Sequence, residues 1–185
     1  MMRSTIAILA FLTLFACGTS SEKEQVSEEV VAEEAPKPVK GLTTLDLSAH
    51  GPFSEMMVPD KSGSGVDAQV EFDDVTGYLN IRVGKRFQML IREEPTSLKD
   101  IRGQLSDDLM WQNEILAEDE QSLLLKKSLP DGTMEQFHFA AVLAGVGSNV
   151  VLQSDPMGEF TQADIERMLY CAKTLKGSNG LALAQ

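Results

Sequence analysis

Residues 68–92, AQVEFDDVTGYLNIRVGKRFQMLIR, decide the fold of this 185-residue chain. Apolar and polar residues alternate in three runs, and short turns rich in Asp, Gly and Lys separate the runs. The runs are 68–72, 78–83 and 87–92. Strict alternation is typical of strands with one buried face, and short turns join antiparallel neighbours. This stretch therefore predicts a three-stranded antiparallel meander.

Two capping boxes predict helices further along the chain. Ser97 with Asp100 begins one helix after Pro95, and Thr161 with Asp164 begins another. Apolar residues follow each box at helical spacing: Leu98, Ile101, Leu105 and Leu109 in the first helix, and Ile165, Met168, Leu169, Ala172 and Leu175 in the second. We expect Gly177 to cap the end of the second helix.

Further strand patterns lie on both sides of the first helix. They cover 55–58, 114–117, 122–129, 134–142 and 149–154. Runs of adjacent strands, rather than regular alternation of strand and helix, favour an α+β fold. We predict a largely antiparallel sheet of about seven or eight strands packed with two main helices, in the order strands, helix, strands, helix.

Residues 1–17, MMRSTIAILAFLTLFAC, have the features of an export signal. Arg3 provides a positive start, and the ten-residue apolar run 6–15 would span ~15 Å as a helix, about half of a ~30 Å hydrocarbon core. The segment Leu14-Phe15-Ala16-Cys17 resembles the lipobox of bacterial lipoproteins. The resemblance implies cleavage before Cys17, a diacylglycerol thioether on its sulfur and acylation of the new amino end. A conventional signal peptide with an incidental Cys is the alternative.

The lipobox resemblance also implies a location. We expect a membrane-anchored lipoprotein of the bacterial cell envelope, since two or three acyl chains give stable anchoring. Gly18 follows Cys17, and in double-membrane bacteria an aspartate at that position is associated with inner-membrane retention. The outer membrane is therefore the expected location.

Residues 18–41 predict an acidic tether. Six Glu, three Lys and few apolar residues cannot bury enough surface to offset the ordering of the chain. Twenty-four extended residues reach ~80 Å, which is long enough to hold a domain clear of the lipid surface. Recruitment of a partner by the acidic residues is the alternative. The predicted organisation is thus a signal peptide at 1–16, lipidated Cys17 and a disordered tether to 41, one domain at 42–176 and a flexible tail at 177–185.

The charge of the chain excludes one class of partner. The formal charge is −12 and the pI is about 4.5, whereas a nucleic-acid-binding surface needs clustered Lys and Arg. Without Arg3 and the charged residues of the tether, the domain carries −10. We therefore expect no nucleic acid as partner, and repulsion of the domain from anionic lipid.

The domain resembles the PsbP-like group, which includes DcrB-like bacterial lipoproteins, over about residues 45–176. The resemblance lies in Met57-Val58-Pro59, in the stretch 84–91 (GKRFQMLI), and in a closing amphipathic helix that ends in the stretch 172–175 (AKTL). Members of this group are mostly binding or assembly proteins with dissimilar partners. The resemblance implies an α+β fold and no catalytic motif.

Few residues suggest reactive chemistry. His50 and His138 lie far apart in the chain, and no Gly-x-Ser-x-Gly elbow accompanies them, so we expect a loop histidine and an exposed or hydrogen-bonded structural one. Cys171 has no partner for an internal disulfide once Cys17 is lipidated and is expected to pack in the interior. A reactive thiol, with Arg167 and Lys173 close in sequence, is the alternative. The glycine–serine stretch 62–65 lacks P-loop spacing and is expected to be a flexible hairpin loop. We predict no catalytic set, metal or cofactor.

One basic cluster stands against the overall acidity. Arg82, Lys85, Arg86 and Arg92 lie on two adjacent predicted strands and their turn, with Arg82 and Arg92 on the same polar face. Such a patch would suit an anionic group of a partner. Cross-strand pairing with acids such as Glu71 or Glu93 is the alternative.

Three functions follow from these patterns. The first is a non-catalytic envelope lipoprotein that displays a binding or assembly domain for another envelope protein or a cell-wall component. The second is a carrier of a small apolar ligand in a pocket between sheet and helices, lined by residues such as Phe87, Met89 and Phe137. The third is a hydrolase assembled from distant residues.

Overall fold

A computed structural model describes residues 40–145 and 147–177. The predicted signal peptide, Cys17, nearly all of the predicted tether and residues 178–185 of the predicted tail lie outside the described residues. In chain order the elements are β1 (Leu42–Asp46), β2 (Phe53–Pro59), α1 (Lys61–Ser64), β3 (Gln69–Asp73), β4 (Tyr78–Arg82), β5 (Gln88–Glu94), α2 (Leu98–Asp107), β6 (Gln112–Glu118), β7 (Ser122–Ser128), β8 (Glu135–Ala144), β9 (Asn149–Ser154), α3 (Gln162–Ala172) and β10 (Lys176–Gly177).

Seven strands form one antiparallel sheet in the order β3-β4-β5-β9-β8-β7-β6. The predicted meander is confirmed, since Phe72 pairs with Leu79 and Leu79 pairs with Ile91. β9, the last strand of this sheet in chain order, lies between β5 and β8. It therefore joins the meander β3-β4-β5 to the strands β8, β7 and β6. The predicted α+β class and its antiparallel sheet are therefore confirmed.

A second sheet of three strands has the order β1-β2-β10. The sequence pattern predicted only its middle strand. The outer strand β1 was missed because its sequence, LTTLD, contains no run of buried residues. The strand β10 was missed because it has only two residues, Lys176 and Gly177, which pair with Glu55 and Phe53.

The core lies on one face of the large sheet, between that sheet, α3 and β2. Phe139, Ala141 and Leu143 alternate along β8 with residues of the opposite face and point into this core. On α3, the residues Ile165, Met168, Cys171 and Ala172 are buried in the same cluster. Phe87 and Met89 belong to it as well. We call this side of the sheet the α3 face.

Both predicted capping boxes are present, but both helices end earlier than predicted. α2 ends at Asp107, because the side chain of Asp108 accepts the backbone N–H groups of Met110 (3.0 Å) and Trp111 (3.2 Å). Leu109, predicted as part of the apolar stripe, is 98% exposed.

α3 ends at Ala172, so the prediction that Gly177 caps it was wrong. The Thr174 hydroxyl donates to the Cys171 carbonyl (2.7 Å) and accepts the Met57 N–H (2.8 Å), and this turns the chain toward β2. The predicted hairpin loop at 62–65 was also wrong. Its first three residues end the single-turn helix α1, in which Asp60 accepts the Gly63 N–H at 2.9 Å.

Candidate functional site

The face of the large sheet opposite the core is only partly covered. α2 lies on this side, and none of its residues is buried, although α3 carries the same type of capping box and buries one side fully. We call this side the α2 face. Between α2 and the sheet runs an open groove of about 620 Å³, which we call the α2 groove. Its walls include Ile101, Leu105, Trp111, Leu125, Lys127 and His138.

Local sequence at the end of α2 shapes one end of this groove. The turn at Asp108 redirects the chain and places Trp111 in the wall. The Lys127 ammonium lies 3.4 Å from the Asp108 carboxylate and 5.8 Å from the centroid of the Trp111 ring. The Asn113 amide donates to the Leu105 carbonyl at 2.9 Å and ties the end of α2 to β6. Among the described residues that line the groove, Lys127 is the only cation, and it is neutralised by the only carboxylate, that of Asp108.

His138 lies at the floor of the groove and is 8% exposed. Its Nδ1 is hydrogen-bonded to the Ser154 hydroxyl at 3.0 Å, and its Nε2 lies 3.4 Å from Gln136 Oε1. Each ring nitrogen of His138 therefore has a polar side chain within hydrogen-bonding distance. Burial lowers the pKa of His138 to about 4, the charge of Lys127 acts in the same direction, and Asp155 opposes both. The imidazole is therefore neutral near pH 7.

This serine–histidine pair bears on the hydrolase hypothesis. In Ser–His–Asp enzymes a carboxylate on the second ring nitrogen stabilises the imidazolium. In this protein an amide of Gln136 faces that nitrogen, and a pKa of about 4 makes the imidazole of His138 a weak base. Ser154 is buried as well. The geometry favours a fixed hydrogen-bonding group in the groove floor over proton transfer, and it agrees with the predicted hydrogen-bonded structural histidine.

The rim of the α2 groove is rich in exposed apolar side chains. Met134 is 46% exposed and Met157 is 85% exposed, and both line the groove. Leu109 and Met110 are exposed in the turn next to Trp111. Methionines adapt their shape to irregular partners, and clustered exposed apolar groups mark binding surfaces.

The four cations of the predicted basic patch have different contacts in the structure. Arg82 pairs with Gln88 in the β4–β5 hairpin, so Arg92 lies four residues further along β5, or ~14 Å away. Arg92 stacks over the Tyr78 ring, 4.5 Å from its centroid, and forms an ion pair with Glu94, not with the predicted Glu71 or Glu93. The structure places Arg82 and Arg92 on one face, as predicted, but not side by side.

The two turn residues of the patch also differ. Arg86 Nε lies 3.0 Å from the Asp164 carboxylate, so this guanidinium binds the capping box of α3. Within residues 40–145 and 147–177, no carboxylate lies within ion-pair distance of Lys85 or Arg82. Two of the four cations are therefore engaged within the domain, and the use of the other two by a partner stays a prediction.

Phe87, Met89 and Phe137, which the sequence suggested as the lining of a ligand pocket, line neither the α2 groove nor a second groove among the described residues. Phe87 and Met89 are buried in the core, and Phe137 packs against it half-buried. The second groove, of about 590 Å³, lies near the predicted loop histidine His50 and is lined by Phe53, Phe72 and Leu79 among others. Phe72 is largely exposed there.

The remaining features considered from the sequence are Cys171, metal ligands and membrane-spanning helices. Cys171 is buried, and burial raises the pKa of its thiol to about 12. In the part of the chain that the structure describes, no three His, Cys, Asp or Glu side chains converge as metal ligands. No helix among residues 40–145 and 147–177 combines the length and the apolar character that crossing a bilayer requires.

The α2 groove was missed from sequence. Its walls come from α2, from β7 and β8, and from the end of β9 with the loop that follows, so no single segment contains it. One local feature of the sequence indicates an exposed apolar surface. The apolar run Leu109-Met110-Trp111 follows two aspartates at the end of α2, a place where soluble proteins usually have polar residues. Comparisons with models of protein families, with curated proteins and with solved structures returned no match for this chain.

Proposed function

We propose that this protein is a non-catalytic lipoprotein of the bacterial cell envelope whose domain binds a partner through the α2 face of its large sheet. The observation that carries the binding part is the α2 groove, an open cleft with an apolar rim beside a helix that buries no residue. A folded domain gains little stability from such a helix. A binding role therefore explains the exposed apolar side chains beside it, Met134 and Met157, better than a packing role.

The anchor part of the proposal rests on the sequence. Cys17 ends the lipobox-like segment, and the stretch after it is long enough to hold the domain away from the membrane. The domain's charge of −10 opposes adsorption to anionic lipid. A protein of the envelope, or a cell-wall component, is therefore a better partner for the α2 face than the bilayer.

Replacement of the lipidated residue tests the anchor. We expect Cys17→Ser to move the protein from the membrane fraction to the soluble fraction, and mass spectrometry of the native chain to show fatty acylation on Cys17. Cys171→Ser is the matched control, because it removes the other cysteine and should leave the protein in the membrane fraction. Membrane retention of the Cys17→Ser protein would contradict the anchor.

Photocrosslinking in intact cells tests the binding face. A photoreactive residue at Met157, on the rim of the groove, should give a discrete crosslinked species that disappears when Met134→Asp is added. The matched position is Tyr170, an exposed residue on α3, which should give no such species. A crosslink from Tyr170 but not from Met157 would reject the α2 face as the binding surface.

The carrier hypothesis is the second candidate, and one observation favours it. The volume of the α2 groove, about 620 Å³, lies in the range of small-molecule sites. A carrier would hold its ligand after purification in mild conditions. Native mass spectrometry that finds a tightly bound small apolar molecule on the intact lipoprotein would therefore favour the carrier over the partner-binding function.

A further inference from the structure

We infer that the α2 groove binds an extended peptide segment of the partner, with apolar side chains such as Leu and Ala at its centre and basic flanks. This inference rests on the proposed binding function and names the chemistry of the ligand. The shape of the groove is the first argument. It is open to solvent along one side, so a bound acyl chain would keep much of its length wet, whereas a peptide has a polar backbone that tolerates water on one side.

The amides in the groove wall are the second argument. Gln104, Gln136 and Gln153 line it, and a side-chain amide carries both a donor and an acceptor that match a peptide group. Gln153 donates to the Tyr78 hydroxyl at 3.3 Å and keeps its carbonyl oxygen for a ligand. Among the described residues, the Gln104 side chain has no hydrogen-bond partner. These groups offer main-chain recognition that tolerates different side chains.

The charges around the groove are the third argument. Inside it, Lys127 and Asp108 neutralise each other, and His138 is neutral near pH 7. Asp107 directly precedes the lining residue Asp108, and Asp155 lies between the lining residues Ser154 and Pro156. No Lys or Arg of the described residues lies within ion-pair distance of either carboxylate. These carboxylates belong to a domain with ten excess negative charges. Charge complementarity therefore favours a neutral centre and cationic ends in the bound segment, and disfavours an acidic one.

The residues of the floor and the rim determine which side chains of a bound peptide the groove accepts. Leu125 and Ala140 of the sheet form an apolar floor, Leu105 of α2 is part of the wall, and Met134 and Met157 border the groove. Flexible methionines accommodate side chains of different shape. In an extended segment, alternate residues point the same way, so apolar residues such as Leu or Ala at every second position would face this floor while the others face solvent.

The single tryptophan of the chain makes the test direct. Trp111 lies in the groove wall, so intrinsic tryptophan fluorescence reports occupation of this site alone. The full lipidated protein is reconstituted in phosphatidylcholine vesicles and titrated with the probe peptide acetyl-KKLALAK-amide. We expect a saturable change in Trp111 emission. The same peptide with Glu in place of Lys should bind about tenfold more weakly or not at all.

Two variants localise the binding. Met134→Ser, at a partly exposed rim position, should weaken binding of the lysine peptide about tenfold. Val75→Ser is the matched control in the exposed β3–β4 turn and should leave binding unchanged. Equal binding of the glutamate and lysine peptides, or no effect of Met134→Ser, would overturn the inference.

A third probe separates this inference from the proposed function. If monoolein added to the vesicles changes Trp111 emission saturably and the lysine peptide does not, the ligand is a neutral amphiphile. The peptide inference is then wrong, and the carrier function is favoured over the partner-binding function. If the peptide is silent but Met157 still crosslinks to a partner in cells, the inference fails alone. If the peptide binds and Met157 gives no crosslink in cells, the proposed function fails while the groove chemistry stands.

Discussion

The two faces of the seven-stranded sheet are built from alternate residues of the same strands and are used differently. On β8, Phe139 and Ala141 enter the core under α3, whereas His138 and Ala140 form the floor of the α2 groove. α2 and α3 have the same type of capping box and similar length, but only α3 is buried. The comparison shows that amphipathic patterning predicts a helix without showing how deeply it is buried.

Two matched isoleucines should separate the faces most clearly. Ile165 on α3 is fully buried, and Ile101 on α2 is partly buried at the groove. We expect Ile165→Ala to lower the free energy of unfolding by ~2–5 kcal/mol because it leaves a cavity in a dry core. Ile101→Ala should cost only ~1 kcal/mol, because solvent already reaches that site.

Urea denaturation of the full chain measures both changes. Equal losses for the two variants would break the comparison, since they would show that α2 is packed as firmly as α3.

The second largest effect should be a loss of folding stability in acid, caused by protonation of His138 on the α2 face. The folded pKa of His138 is about 4, below the ordinary 6.5, so the unfolded chain binds its proton first as the pH falls. Stability is then lost between pH 6.5 and 4, by on the order of 2–3 kcal/mol. We expect His138→Gln to remove most of this slope in denaturation midpoints measured across that window.

Asp119 titrates in a lower pH window than His138. Although partial burial alone raises it, the pKa of Asp119 is lowered to about 2 by the Lys173 ammonium and by the Gln121 and Ser122 groups that donate to it. Its contribution is therefore present above pH 3.8 and is lost only toward pH 2. A slope between pH 6.5 and 4 that persists unchanged in His138→Gln would show that His138 is not its source.

The capping boxes should show the smallest difference. Asp164 binds Thr161 and also the Arg86 guanidinium, and α3 is buried, so Asp164→Ala should cost ~1–2 kcal/mol. Asp100 on α2 has Ser97 as its only side-chain hydrogen-bond partner within residues 40–145 and 147–177. Loss of this box on an exposed helix should cost ~0.5–1 kcal/mol. Thermal unfolding of both variants ranks them, and a larger loss for Asp100→Ala would reverse the expected order.

Local patterns predicted much of the fold. Alternation at 68–92 identified three strands and which of their residues share a face, and the pairs Ser97–Asp100 and Thr161–Asp164 identified both helix starts. The helix ends were not predicted, because they depend on competing hydrogen bonds from Asp108 and Thr174. β10 has two residues and forms only because β2 lies beside it.

The site was less predictable than the fold. The α2 groove depends on contacts between α2 and residues of β7 and β8 that are more than fifteen positions away in sequence, which no periodicity reveals. The distance between Arg82 and Arg92 was readable from the sequence, since the tight turn at 84–86 pairs Arg82 with Gln88 and leaves Arg92 at the other end of its strand. The contacts of Arg86 and Arg92 with Asp164 and Tyr78 required the tertiary structure.

Amide hydrogen exchange on the full lipidated chain, with and without the peptide acetyl-KKLALAK-amide, tests the central claim most directly. In the free protein, α2 buries no residue, so its amides should exchange faster than those of α3 and gain protection when the peptide binds, while α3 stays unchanged. Equal protection of α2 and α3 in the free protein, with no gain in α2 on adding the peptide, would contradict the division of the sheet into a stabilising face and a binding face.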